Sequence, residues 1–507
     1  MSQTATTTSL SASLPLDLTT EDPVPTVGKA IHKFYEPIIL YEALTDAIKH
    51  TARPPPPEPS INIEDPKQVF CAFVNKLSHV CDKEKGGDTV TSFAVLKDQR
   101  NPARAHFVFA ANRQSDRDLG VTAAYVKSLL HKIDQAPDGE VNQHNARSSL
   151  LYHILRFNRP RVSAYLRNLR LQTELCLESC QSTNTKEDGL IAEELNKLLL
   201  CPSTGSDEND WVNDYLRQSE TMIQLLVRME KTPAGAAIKA RAMEERMPGV
   251  TSMECWPRLF HAMSRILAYL QSVKFLLRAK REWPSLFQDP AVGFLSSSRR
   301  VAKPARQKSQ KANEIIGRMT RKAEDIEIFK QFVEALQVFD LDARIQQEYK
   351  KDTFKPTAHA EVILLNWLLK PGEQAPEKFF NGWAYIGSSK PTCKLCVHYF
   401  RGHRTNVGHR PCHGNFYPSW RIPDVFPSQG EEAQKQKQIM VDRVLEQVRK
   451  DTFDIVREKA SPSTKEEDSN TLTARMTLEE YWSLHGSQAD DDDDVTRGMR
   501  GMSLNRQ

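Results

Sequence analysis

Two neighbouring stretches decide the fold of this chain: residues 356–369, PTAHAEVILLNWLL, and residues 384–396, AYIGSSKPTCKLC. In the first, Pro356 suits a helix start, and an apolar, helix-forming run follows. In the second, a short apolar strand ends at a Gly-Ser-Ser turn. Cys393 and Cys396 then stand three residues apart, which places them on one face of a beginning helix. The pattern predicts two helix N-termini that face a common site.

The polar side chains at these helix ends are those of a metal site with an acid/base group. His359, Cys393 and Cys396 can hold a zinc ion on three sides and leave its fourth position open. A helix N-terminus lowers the pKa of a thiol, so the cysteines are available as thiolates. Glu361 stands two residues from His359 and need not bind the metal. A zinc-activated water and a proton-carrying carboxylate are what hydrolytic removal of an amino group from a nucleobase requires.

Composition is that of a folded intracellular protein with several domains. The 507 residues suffice for roughly two to four domains. A net charge of +4 excludes a protein that coats nucleic acid over its whole surface, and nine scattered cysteines argue against a secreted disulfide scaffold. The N-terminus does not resemble a secretory signal, and no apolar run reaches bilayer length. We expect a cytoplasmic or nuclear protein without membrane association; its oligomeric state is open.

Upstream of the motif, residues 61–116 have the pattern of a helix followed by a hairpin. Asp65 and Pro66 suit a helix start, and apolar residues then recur at helical spacing. Two runs rich in β-branched and aromatic residues, 89–96 and 105–111, follow with a turn between them. This segment therefore predicts helix, strand, turn and strand.

The remaining chain divides by composition. Residues 117–350 show amphipathic patterns throughout and are expected to be mostly helical, and a further helix is expected over 428–460. Within the first region, the basic run 299–322 is either a solvated face or a phosphate-attracting segment that binds RNA or DNA. The Pro-rich segment 1–60 and the polar, acidic tail 461–507 are expected to be disordered.

The motif residues together resemble a known superfamily. The run 356–361, with Pro391, Cys393 and Cys396, resembles the cytidine deaminase-like superfamily. The phrase 385–396, YIGSSKPTCKLC, is similar to a branch of that superfamily that is expanded in fungi. The resemblance implies an αβα three-layer fold, zinc as the cofactor and a nucleobase-containing substrate.

The resemblance also implies how the fold is divided along the chain. In the superfamily a helix and a β-hairpin precede the His-Ala-Glu helix, and residues 61–116 fit them. Residues 351–427 would then be the zinc-binding core. It follows that residues 117–350 are a large, mostly helical insertion in an α/β domain.

Four residues are candidates for substrate binding. The resemblance implies contacts at Asn112, which follows the second predicted strand, and at Ala360 and Pro391; Asn112 can instead cap the end of the hairpin. Thr392 departs from the superfamily pattern, which has Pro directly before the first cysteine. Trp420 can stack on a base, with core packing as the alternative for this aromatic side chain.

The sequence thus predicts a zinc-dependent hydrolytic deaminase of a cytosine or adenine base, free or within nucleic acid. One alternative is a non-catalytic, zinc-stabilised protein that binds partners through its helical region. The other is a closed structural zinc site in which Cys412 and His413 join Cys393 and Cys396. Glu361 favours the enzyme, because a purely structural site has no use for that carboxylate.

Overall fold

The computed structural model describes residues 14–25, 29–48, 61–98, 101–102, 104–137, 140–183, 185–200, 211–244, 254–301, 311–352, 354–369 and 376–458. Within these ranges the α-helices are α1 (Lys29–Ala47), α2 (Pro66–Cys81), α3 (Asp116–Asp134), α4 (Glu140–Phe157), α5 (Arg159–Thr183), α6 (Lys186–Leu199), α7 (Trp211–Glu230), α8 (Pro233–Glu244), α9 (Cys255–Glu282), α10 (Ala312–Met319), α11 (Ala323–Ala335), α12 (Leu341–Lys350), α13 (Ala360–Leu368), α14 (Lys394–His403) and α15 (Gly430–Glu458). The strands are β1 (Thr91–Lys97), β2 (Ala105–Ala111), β3 (Ala291–Phe294), β4 (Tyr385–Ser388) and β5 (Gly408–His409). The predicted mixed α/β architecture with a mostly helical insertion is confirmed.

The strands form one mixed sheet in the order β3-β2-β1-β4-β5. β1 pairs antiparallel with both β2 and β4, whereas β3 and β5 run parallel to their neighbours β2 and β4. The hairpin near the N-terminus therefore shares a sheet with the strand that leads to the cysteine motif. β3 lies within the stretch 117–350, for which the sequence patterns predict helices, so the structure adds one strand there.

The hydrophobic core lies on both faces of this sheet. Phe93 and Phe109 are direct partners in the β1–β2 register and face α2 and the helices of the 117–350 region. Ala94 and Val108 are the next pair and face the layer that contains α1, α13, α14 and α15. Successive residues of a strand point to opposite faces, so the two core layers follow from the strand sequences. The resulting arrangement is the αβα three-layer fold that the resemblance implies.

Helix α2 supports the strand that carries the metal-site loop. Asp65 caps it by accepting hydrogen bonds from the backbone N–H groups of Lys67 and Gln68, and Pro66 occupies the first turn. The helix packs against β1 and β4. Gly387 of β4 lies so close to α2 that a Cβ atom would come within 2.6 Å of Val74 Cγ1. A glycine is therefore required where the strand passes beneath the helix.

The helices of the 117–350 region are fastened to the sheet domain by a buried ion pair. The Arg161 guanidinium of α5 pairs with the Asp82 carboxylate at the end of α2, and their side chains are 3% and 0% exposed. The same carboxylate accepts hydrogen bonds from the hydroxyls of Thr89 at 2.6 Å and Ser389 at 3.0 Å. Asp82 thus joins the helical region, the start of the hairpin and the loop before Cys393.

Helix α1 corrects the prediction that residues 1–60 are disordered. Its side chains are almost all buried, with Ile38, Ile39 and Leu44 fully inaccessible, and it packs against α12 and α15. Because the helix is apolar on most sides, it lacks the amphipathic period by which a helix is recognised. The polyproline run 54–59 of the same segment lies outside the described residues.

Several other predictions concern residues only partly described. The tail 461–507 lies outside the described residues, as do residues 302–310 of the basic run. Of the described basic residues, Arg318 forms a hydrogen-bonded ion pair with Glu36, and the Arg299 guanidinium donates to the Thr19 carbonyl. Nucleic-acid binding by this run stays a prediction. Among the helices of the described ranges, none is long and apolar enough to cross a membrane.

Candidate metal-binding active site

The candidate site forms where α13 and α14 begin. His359 is the residue before α13 and Cys393 the residue before α14, so both side chains lie at helix N-termini, as predicted. Cys393 Sγ accepts a hydrogen bond from the Cys396 backbone N–H at 3.4 Å and thereby caps α14. Both thiols are buried. The positive ends of two helix dipoles therefore favour negatively charged thiolates here.

Three donor atoms converge at the helix ends. Cys393 Sγ lies 3.3 Å from Cys396 Sγ and 3.5 Å from His359 Nδ1, and Cys396 Sγ lies 3.4 Å from the same nitrogen. Among the described residues they form a group that can hold a metal ion. Zinc bonds of about 2.3 Å to sulfur and 2.0 Å to nitrogen, at tetrahedral angles, separate the ligand atoms by roughly 3.5 to 3.8 Å. The donor set fits zinc in chemistry and in spacing.

The Glu361 carboxyl lies in the same cavity as two of the donor residues, His359 and Cys393. Its side chain is buried at 4% exposure and lines the cavity beside His359. Burial raises the pKa of this carboxyl above its ordinary value, and the nearby positive charge of His359 opposes the shift. A carboxyl with a raised pKa can hold a proton at a less acidic pH than an exposed one, which suits an acid/base group.

The two thiols differ in how readily they ionise. Burial raises the pKa of Cys393, but the hydrogen bond with Cys396 and the positive charge of His359 outweigh it, so the pKa falls well below its usual range. Burial and the neighbouring Cys393 charge raise the pKa of Cys396 well above its usual range. The cluster therefore provides one ready thiolate, and a divalent cation would stabilise the second.

A small cavity leads to this group. Its volume is about 110 Å³, and its wall includes His359, Glu361 and Cys393. Arg113 and Lys390 bring two cationic side chains to the same wall. The wall of this cavity thus combines candidate metal ligands, a carboxyl and two basic side chains.

The comparison with protein families agrees with this geometry. A family model of OTT_1508-like deaminases matches residues 358–424, the stretch with His359, Glu361 and both cysteines. This segment belongs to the cytidine deaminase-like superfamily. No curated protein and no solved structure matches the chain. The resemblance inferred from the motif is confirmed for the superfamily, and the placement in a fungal branch stays a prediction.

Asn112 lies inside the deaminase site and connects the hairpin to α13. Its Oδ1 accepts the Ala360 backbone N–H at 2.8 Å, and its Nδ2 donates to the Gly87 carbonyl at 2.8 Å. Asn112 also lines the cavity, so a substrate contact through its second Nδ2 hydrogen stays a prediction. Ala360 itself is buried, and its N–H group donates to Asn112; a substrate contact at Ala360 stays a prediction.

Trp420 does not line the candidate cavity. Its side chain is fully buried, and its Nε1–H donates a hydrogen bond to Cys396 Sγ at 3.2 Å. Phe34 of α1 stacks on its outer side with ring centroids 6.1 Å apart. The predicted stacking of Trp420 on a base is therefore corrected: its indole holds a metal-site sulfur. Sequence alone could not reveal this, because the hydrogen bond joins Trp420 to a residue 24 positions earlier in the chain.

The closed zinc finger is not formed. Cys412 is exposed and its Sγ accepts the Gly414 backbone N–H, and the described metal-capable group contains neither Cys412 nor His413. The His413 ring instead lines the deaminase cavity, where its Nδ1 accepts the Asn415 backbone N–H at 3.0 Å. A backbone N–H can only donate, so the ring proton of a neutral His413 is on Nε2.

Two cationic residues of the cavity wall, Arg113 and Lys390, were not predicted as site residues from the sequence. Arg113 directly follows Asn112 at the end of β2, and Lys390 precedes Pro391, which lines the cavity as expected. The Tyr417 ring meets the His359 ring edge to face at 5.6 Å. In the sequence, the only indication for Arg113 and Lys390 is their position next to motif residues. Their orientation toward the cavity can be seen only in the folded structure.

Proposed function

We propose that the protein is a zinc-dependent hydrolytic deaminase acting on a cytosine or adenine base. The observation that carries the proposal is the convergence of His359, Cys393, Cys396 and the Glu361 carboxyl at one cavity. A deaminase family model that spans these residues supports it. The alternative, a zinc-stabilised interaction protein, gives no role to a buried carboxyl that faces a cavity beside the metal ligands.

The reaction uses the residues in separate roles. His359, Cys393 and Cys396 would hold the zinc, which supplies Lewis-acid activation of a water molecule. The Glu361 carboxylate takes a proton from this water and delivers it to the ring nitrogen of the base. The amino-bearing carbon gains a C–O bond and loses its C–N bond. Glu361 carries the second proton to the leaving amino group, and the products are the keto base and ammonia.

The surroundings of Glu361 support this proton transfer. Its burial keeps bulk water away from the carboxyl and raises its pKa, so it can hold a proton between the two transfers. Tyr417 and His413 border the cavity with their rings, where a flat heterocycle would meet them. The walls are therefore suited to an aromatic base.

The test separates metal binding from proton transfer. The variant Glu361→Gln keeps the shape of the side chain but removes its carboxyl group. Its zinc content should stay at one ion per chain, while the rate of ammonia release should fall by at least about 100-fold. Cys393→Ser should lose both zinc and activity. Cys412→Ser is the matched control because this thiol is exposed and outside the ligand group. Wild-type rates in Glu361→Gln, or loss of zinc in Cys412→Ser, would contradict the proposal.

A further inference from the structure

The deaminase cavity has room for the base but not for a whole nucleotide. Its volume is about 110 Å³. Sites that enclose a complete small-molecule ligand measure roughly 300–1,000 Å³. A sugar or phosphate attached to the base would therefore extend to the rim of the cavity. The charges at the rim decide which attached groups are favoured.

Arg113 is fixed at this rim. Its Nε donates to Thr357 Oγ1 at 2.6 Å, and Nη2 donates to the Lys355 carbonyl at 3.4 Å. Its side chain is still 32% exposed, so the guanidinium has both rigid partners and access to solvent. A guanidinium has five N–H donors, and these contacts leave donors for a further acceptor.

Lys390 adds a second cation to the same cavity. It is 9% exposed and lines the wall next to Pro391 and Cys393. Of the anionic groups near these cations, Glu361 lines the cavity with them, and Asp88 Oδ1 lies 3.2 Å from Arg113 Nη1. The Asp88 side chain is 60% exposed, so solvent and salt weaken its compensation of Arg113. The Arg113 guanidinium therefore remains attractive to an anion.

We propose that the natural substrate is a base that carries a phosphate group, and that Arg113 at the rim, with Lys390 on the adjoining cavity wall, binds this phosphate while the base enters the cavity. The proposal rests on the deaminase function proposed above and narrows its substrate class to phosphate-bearing substrates, which excludes free bases and nucleosides. The phosphate is either that of a mononucleotide or that of a single-stranded nucleic acid, since both offer the same oxygen acceptors. Arginine and lysine are the side chains that bind such oxygens most strongly.

The experiment compares substrates that differ only in the phosphate. Ammonia release by the full-length, zinc-loaded protein is measured with cytidine and CMP, with adenosine and AMP, and with single-stranded oligonucleotides that contain one target base. The nucleotide or the oligonucleotide should exceed its nucleoside in kcat/KM by at least 10-fold. Activity on mononucleotides identifies a free nucleotide as the substrate, and activity confined to oligonucleotides identifies the polymer.

Charge variants locate the phosphate contact. Arg113→Gln and Lys390→Gln should each lower the ratio of kcat/KM for nucleotide over nucleoside by roughly 10- to 100-fold, mainly through KM, because a hydrogen bond to a charged group is lost. Arg113→Lys keeps the charge and should recover part of the ratio. Lys355→Gln is the matched control, since Lys355 is exposed nearby but does not line the cavity. An unchanged ratio in both glutamine variants overturns the inference.

A binding measurement keeps this inference separate from the deaminase function itself. In Glu361→Gln, calorimetry should show that CMP or AMP binds at least 10-fold more tightly than its nucleoside. If the wild-type protein deaminates nucleosides and nucleotides equally, the phosphate inference fails and the deaminase function stands. If no substrate releases ammonia, the deaminase function fails, and equal affinity for nucleotide and nucleoside then overturns the phosphate site as well.

Discussion

Removing Arg161 should destabilise the protein strongly, because its guanidinium is the charged partner of a buried carboxylate. In Arg161→Met, the aliphatic part of the side chain is retained, but the fully buried Asp82 carboxylate loses its charged partner. The substitution also removes the hydrogen-bond donor of the Asp82 carbonyl and of the Tyr165 hydroxyl, which accept from the guanidinium at 2.6 and 2.7 Å. Two hydroxyl donors, on Thr89 and Ser389, stay with the carboxylate.

The expected magnitude follows from the burial of the pair. Breaking a buried ion pair by removing one partner costs about 3–5 kcal/mol, because an uncompensated charge remains inside. Arg170→Met is the matched control on the same helix: its guanidinium pairs with Glu174 at 3.4 Å but is 51% exposed, so we expect a change within about 0.5 kcal/mol. The double variant Arg161→Met/Asp82→Asn should be more stable than Arg161→Met, since a neutral amide needs no counter-charge.

The assay is urea unfolding at neutral pH, followed by circular dichroism for all four proteins. A loss of less than about 1 kcal/mol in Arg161→Met, comparable to Arg170→Met, would refute the reasoning. So would a double variant that is no more stable than Arg161→Met, because the penalty would then not come from the unpaired carboxylate.

Three further predictions concern the site and the pH dependence. In Asn112→Ala, the buried Ala360 N–H loses its acceptor, and stability should fall by about 1–3 kcal/mol in urea unfolding; a neutral result would show that water replaces the amide. Trp420→Phe removes the donor to Cys396 Sγ, and chelator competition should show zinc affinity lowered by about 10- to 100-fold, whereas Trp367→Phe should leave it unchanged. Burial lowers the pKa of His403 from 6.5 to about 4, so the unfolded chain takes up the proton first as the pH falls. Stability should therefore drop by about 1 kcal/mol between pH 7.5 and 5.5, and His403→Gln should lose that part of the drop; an identical pH profile in the variant would contradict it.

The convergence of the candidate metal ligands could be predicted from the sequence because these residues stand in short motifs. His359, Glu361 and the two cysteines each stand at a helix start whose local sequence specifies it, and β2 was predicted with its observed bounds, 105–111. The three-layer arrangement followed from the resemblance, and the matched family model supports the superfamily assignment. Local sequence patterns were therefore enough to predict those features that depend only on residues close together in the sequence.

Features that depend on distant contacts could not be predicted in this way. Helix α1 is buried on most sides, so its sequence shows no polar face to mark it as a helix. β3 has four residues and follows a long helical stretch, which leaves too short a pattern for a strand. Trp420 and Arg113 acquire their roles from partners in other parts of the chain, a sulfur of α14 and the hydroxyl of Thr357. Sequence patterns do not record such pairings.

The sheet order has a consequence for synthesis of the chain. β1 lies between β2 and β4, and β4 begins about 290 residues after β1 ends. At translation speeds of roughly 5–20 residues per second, one edge of β1 stays unpaired on the ribosome for about 15–60 s. This strand carries Phe93, Val95 and Leu96, and an apolar strand edge can pair with other chains. The nascent protein therefore needs shielding, by its own folding helices or by chaperones, until β4 has been synthesised.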